Sequence, residues 1–76
     1  MTLADMNAGQ QGTIVQVEGG YGITHRLASM GIRPGKMVTK VSSMLMRGPV
    51  TVKIDNSQIA LGHGMANKIY IELQSK

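Results

Sequence analysis

The 76-residue chain has no cysteine, phenylalanine or tryptophan, and only two prolines. Without cysteine there is neither a disulfide frame nor a thiolate metal site, which argues against a secreted, stapled mini-protein. Tyr21 and Tyr70 are the only aromatic residues. Their scarcity argues against a groove for proline-rich peptides, which is built from aromatic side chains, and leaves little surface on which nucleic-acid bases could stack. No apolar run exceeds three residues, and Met1-Thr-Leu-Ala-Asp5 lacks the basic start and apolar stretch of a signal peptide. A cytoplasmic protein, not itself inserted in a membrane, is expected. So short a chain makes one domain, residues 1–76, whose small core leaves no volume for a buried catalytic pocket.

Acidic residues are also few. Asp5, Glu18, Asp55 and Glu72 stand against eight lysines and arginines, for a net charge of +4. Between residues 19 and 54 lie six basic side chains (Arg26, Arg33, Lys36, Lys40, Arg47, Lys53) and no acidic one. That run has two readings, an ordinary solvated surface or a basic face that steers an acidic partner.

What is present is mostly alternation. Residues 13–18, 36–42, 50–54, 58–61 and 68–73 interleave apolar and polar side chains at period two, as half-buried strands do. Val50, Val52 and Ile54 share one face of their segment, and Ile69, Ile71 and Leu73 share one of theirs, so both sets are expected inward. Asp55-Asn-Ser57 reads as the turn of a hairpin in which Ile59 and Leu61 point the same way. The exception to alternation is Arg26-Leu-Ala-Ser-Met-Gly-Ile-Arg-Pro-Gly35. There Ile23, Leu27 and Met30, at i, i+4 and i+7, form the apolar stripe of a short helix, and Gly31 sits where a left-handed cap ends it. Ile32 is expected to fold back on the stripe, while Pro34 and Gly35 turn the chain into the next strand. Gly62-His-Gly-Met-Ala-Asn67 suits one helical or 3₁₀ turn.

Five short strands cannot bury two faces of an open sheet this small, whereas a sheet closed on itself buries one face and loses most of its edge. The expected fold is therefore mainly β. It is an SH3-like, partly open barrel of about five strands, with a short helix between the first two and a helical turn before the last. Ile23, Leu27 and Met30 are expected to plug one end.

Several segments, in order, carry a family resemblance over nearly the whole chain. They are Leu3-Ala-Asp-Met6 with Gly9, Gly12-Thr-Ile-Val-Gln-Val17, Arg26 through Gly35, Gly48-Pro-Val-Thr-Val52, and Ile59-Ala-Leu61 with Ala66-Asn-Lys-Ile-Tyr70. Together they resemble the FeoA family. The resemblance implies a small cytoplasmic SH3-like protein of bacterial ferrous iron uptake that acts on FeoB, a membrane transporter with a guanine-nucleotide-binding domain. The glycine-rich Gly62-His-Gly64 departs from the more charged turn expected of that family.

Catalytic chemistry finds no footing in the residues. The four carboxylates form no close pair at helical or strand spacing, so no catalytic residue is assigned. Ser29 follows His25 by four, but nothing orients the imidazole as a base, and a surface hydrogen bond is the expected role. Glu18-Gly-Gly-Tyr-Gly22 precedes a helix without the lysine of a phosphate-binding loop, and reads as a flexible corner. His25 and His63 have no metal-ligand spacing between them. The methionines could suggest a thioether site around Met44, Met46 and Met65 with His63, but a core lacking Phe and Trp needs methionine as filler. No metal ligand, cofactor or small-molecule substrate is expected.

Docking is the function that remains. Met44-Leu-Met46, three apolar residues followed by Arg47 and Gly-Pro, is an unusual run for a surface loop, and adaptable methionines suit a protein partner. The outward side of the helix and its exit add Arg26 and Arg33. The partner-binding candidates are thus Met44, Leu45, Met46, Arg47, Arg26 and Arg33. The expected function is a non-enzymatic accessory protein that docks on the cytoplasmic part of an FeoB-like transporter and modulates uptake, peripheral to the inner face of the membrane through that partner. A small basic barrel acting as a regulatory or nucleic-acid-binding module is the alternative reading, with nucleic acid disfavoured by the two lone tyrosines.

Overall fold

The computed structural model describes residues 1–43 and 49–74. After an N-terminal 3₁₀ turn (Leu3–Asp5) come β1 (Gln11–Val17), α1 (Tyr21–Ser29), β2 (Met37–Ser43), β3 (Val50–Ile54) and β4 (Ser57–Leu61). A single helical turn, α2 (His63–Ala66), and β5 (Ile69–Leu73) follow. The strands make one antiparallel sheet in the order β4-β3-β2-β1-β5. Irregularities between Ile14 and Gln16 and between Lys40 and Ser42 interrupt the ladders. Such bulges bend and twist a strand, which lets a short sheet curl around one face. The fold is the expected SH3-like, partly open barrel, with each strand predicted from alternation present to within two residues at either end.

The end of α1 shows why the chain turns where it does. Gly31 takes φ 90°, its N–H bonds the carbonyl of Ala28 at 2.9 Å, and Ile32 N–H bonds the carbonyl of Leu27 at 2.9 Å. This is a full Schellman cap, and it folds Ile32 back onto Leu27, both almost wholly buried. It also corrects one expectation. Met30 is 40% exposed and does not belong to the plug. The helix ends at Ser29 with Met30 as its C-cap, and it is Ile32, folded back by the cap, that is buried with Leu27. Leu73 likewise stays 37% exposed rather than inward. It ends the last strand opposite Gly12, which has no side chain to cover it.

The core is closed from below by the N-terminal segment, for which the pattern of residues offered no element. Leu3 and Met6 are buried with Ile14, Val38, Val52 and Ile69. The Asp5 carboxylate accepts hydrogen bonds from the Thr2 N–H (3.0 Å) and hydroxyl (3.2 Å), holding the 3₁₀ turn shut. Met1 and Thr2 then run beside β5, with Thr2 bridging Tyr70 and the Met1 carbonyl accepting from Ile71 N–H at 2.8 Å. That edge of the sheet is thereby covered.

The basic run is broken up by the fold. Lys40 is 1% exposed, and its ammonium donates to the carbonyls of Leu3 (2.8 Å) and Met6 (2.7 Å). Lys36 pairs with Asp55 at 2.9 Å. Lys40 had been counted toward a basic face, but alternation places it inward with Val38, where the carbonyls of the turn satisfy it. Arg47 and the docking candidates Met44, Leu45 and Met46 lie outside the described residues. Arg26, Arg33 and Lys53 are exposed. Among the described residues, no helix is long and apolar enough to cross a membrane.

Candidate functional site

One flank of α1 borders a groove of about 350 Å³. Tyr21, Thr24, His25 and Ala28 line it from the helix, at i, i+3, i+4 and i+7, so a single helical stripe makes that wall. Val17 closes it from the end of β1, and Ile32, Arg33 and Pro34 from the turn leaving α1. The turn is firmly placed. Gly35 N–H bonds the carbonyl of Ile14 at 2.7 Å, and Ile14 N–H bonds that of Lys36 at 2.8 Å, so the exit of the helix is laced to β1. The Lys36–Asp55 pair ties the same turn to the β3–β4 hairpin, where Asp55 takes the left-handed φ of 57°.

The stripe is held in order. The rings of Tyr21 and His25 stack with centroids 5.7 Å apart and planes 21° from parallel. Tyr21 is nevertheless 83% exposed. The Thr24 hydroxyl donates to the Tyr21 carbonyl at 3.1 Å, so its donor is taken up within the helix. Among the described residues, no carboxylate lies within ion-pairing distance of Arg33.

Of the docking candidates, the structure brings Arg33 to this groove and leaves Arg26 out of its lining. Arg26 follows His25 by one residue, about 100° around the helix, and so belongs to the other flank. His25 also lines the groove. Tyr21 was missed as part of it, although the only aromatic of the helix, set four residues before its only histidine, was a readable signal. The His25 and Ser29 side chains make no pair. The Ser29 hydroxyl donates to the carbonyl of Arg26 at 2.7 Å.

Elsewhere the titratable groups serve the fold. Burial lowers the pKa of Lys40, partly offset by the nearby Asp5 carboxylate. The backbone N–H of Thr2 holds the Asp5 carboxyl below its ordinary value. The Tyr70 hydroxyl donates to the Glu18 carboxylate at 3.2 Å, and that bond, with the negative charge beside it, raises the phenol's pKa. Among the described residues, no three His, Cys, Asp or Glu side chains converge as a metal site would require. Met65 packs against the core, consistent with its role as filler, and His63 opens α2.

The family model for the FeoA domain matches residues 1–73. The chain is 34% identical over 70 residues to a Methanocaldococcus jannaschii protein named as an Fe(2+) transport protein A, covering 92% of this chain and 83% of that one. A Porphyromonas gingivalis protein named as a fusion of Fe(2+) transport protein A with the Fe(2+) transporter FeoB is 36% identical over 75 residues. That match takes in 99% of this chain and 9% of the fusion. Among solved structures, the crystal structure of an iron uptake regulatory protein, FeoA, superposes with a TM-score of 0.90 at 28% identity, covering 97% of each chain.

Proposed function

We infer that this chain, which belongs to the FeoA family, is a non-enzymatic accessory protein of ferrous iron uptake that docks on the cytoplasmic part of an FeoB-like transporter and modulates it. The observation that carries the reading is the fusion relative, in which a segment alignable with 99% of this chain shares one polypeptide with FeoB. Covalent linkage raises effective concentration, and its benefit falls on pairs that must meet. Docking would hold the protein at the inner face of the membrane without insertion.

The residues proposed to make the contact are Arg33 and Arg26 at either flank of α1, with Met44, Leu45, Met46 and Arg47. Tyr21, exposed and stacked on His25, supports the α1 side, because tyrosine is among the residues that protein interfaces most often use as anchors. Co-purification tests the reading: tagged transporter, solubilised with its cytoplasmic domain intact, should retain this protein. Failure of both the full transporter and its isolated cytoplasmic domain to retain it would contradict the reading.

A further inference from the structure

We propose that the groove beside α1 receives an apolar side chain carried on an acidic segment of the docking partner, with Arg33 pairing the segment's carboxylate and Tyr21 covering the inserted side chain. The inference rests on the docking reading above and assigns it a site and a chemistry.

Shape comes first. At about 350 Å³ the groove lies at the low end of ligand pockets, roughly 300 to 1,000 Å³, and one side of it is solvent. Such a recess suits one or two side chains of a partner segment better than an enclosed small molecule. Val17, Ala28 and Ile32 are apolar side chains of its lining, and the Schellman bonds hold Ile32 folded back on Leu27. Pro34 fixes the far wall.

Preorganisation comes second. Tyr21 is 83% exposed, and a side chain so exposed is normally free to reorient, yet its ring stacks on His25 one helical turn away. The stack gives the ring a contact within its own helix, which offsets part of the cost of ordering it against a partner.

Charge comes third and identifies the occupant. The lining contains one guanidinium and one imidazole and no carboxylate. Arg33 lies within a stretch, residues 19–54, that has no acidic residue at all. The nearest acid in sequence, Glu18, is turned to β5, where it accepts the Tyr70 hydroxyl. An acidic segment meets an unopposed cation here, whereas a basic one would be repelled. Nucleic acid fits less well, because backbone binding draws on several phosphate contacts and this groove supplies one guanidinium among apolar side chains.

Binding to the full-length transporter in nanodiscs tests this. Arg33→Glu, at an exposed position, should weaken the Kd by about tenfold or more, and Arg33→Lys should retain most of it. Ala28→Glu, which puts a carboxylate in the groove, should weaken binding similarly, and Lys53→Glu on the sheet should leave it unchanged. Thermal melts identify any variant that fails to fold. A photo-crosslinking residue in place of Tyr21 should capture a transporter peptide with Asp or Glu within a few residues of the crosslinked apolar side chain. Wild-type binding that survives both Arg33→Glu and Ala28→Glu, or a captured peptide that is basic, overturns the groove while leaving docking intact. Absence of wild-type binding overturns docking itself and the groove with it, as does retention on DNA that Arg33→Glu abolishes without any binding to the transporter.

Discussion

The ammonium of Lys40 lies 2.8 Å from the main-chain carbonyl of Leu3, inside the barrel and away from water. A charge in such a place is tolerated because this carbonyl and that of Met6 accept hydrogen bonds from it, so Lys40 staples the N-terminal turn to β2. Lys40→Met keeps the aliphatic stem but leaves the Met6 carbonyl without its donor and the Leu3 carbonyl with the Met6 N–H alone, at 3.3 Å. We expect a loss of about 1 to 3 kcal/mol, the range for one buried acceptor left without a donor. For a domain of this size each kcal/mol lowers Tm by about 4 to 8 °C, measurable by circular dichroism.

The same contact has a pH signature. Because burial lowers the Lys40 pKa in the folded state, the unfolded chain binds the proton more tightly between that lowered value and the ordinary 10.5. Stability contributed by this group therefore rises with pH across that alkaline window. Urea unfolding of wild type and Lys40→Met at a series of alkaline pH values should show the difference growing as 10.5 is approached; a constant difference would contradict it.

Asp5 gives the opposite limb. Its folded pKa is below 3.8, chiefly because its carboxylate accepts the Thr2 N–H. The stabilisation is fully present above 3.8 and is lost as pH falls through the lowered value. Asp5→Ala should be less stable than wild type at neutral pH, and the two should converge well below pH 3.8.

Two glycines should respond in opposite directions. A Cβ on Gly12 would sit 2.9 Å from the Glu72 carbonyl oxygen and collide with the Ile71 side chain, so Gly12→Ala forces β1 from β5. Overpacking of this kind costs about 1 to 3 kcal/mol. Gly22 lies in the first turn of α1 with nothing near the position of a Cβ, and Gly22→Ala should stabilise by up to about 0.5 to 1 kcal/mol. Denaturant midpoints of the two variants, moving apart around wild type, check both.

How much of this was legible depends on range. The hairpin of β3 and β4 was readable because Val50, Val52 and Ile54 alternate without exception, and the corner after α1 because Gly31 is followed by an apolar Ile32. Both are local signals. Burial of Lys40 was harder to read: its parity with Val38 points it inward, but a lysine is accepted there only because carbonyls from a distant turn satisfy it. Leu3 and Met6 were overlooked for a related reason: a three-residue turn has no periodicity, and only the barrel it closes makes them core. Met30 kept the right spacing but falls at the C-cap, and it is Ile32, folded back by the cap, that is buried. At the candidate site, Arg33 was marked from its charge, but its separation from Arg26 follows from the helix's rotation, and Tyr21 joined it only when the stack on His25 was seen. The apolar run of Met44, Leu45 and Met46 lies outside the described residues, and its part in docking stands as a proposal.

The central claim is that this protein binds an FeoB-like transporter directly, and an equilibrium titration against transporter-loaded and empty nanodiscs tests it most directly. Saturable binding to the loaded discs alone is the result predicted here. Equal signals from loaded and empty discs, across the concentrations at which both proteins remain folded, would contradict it.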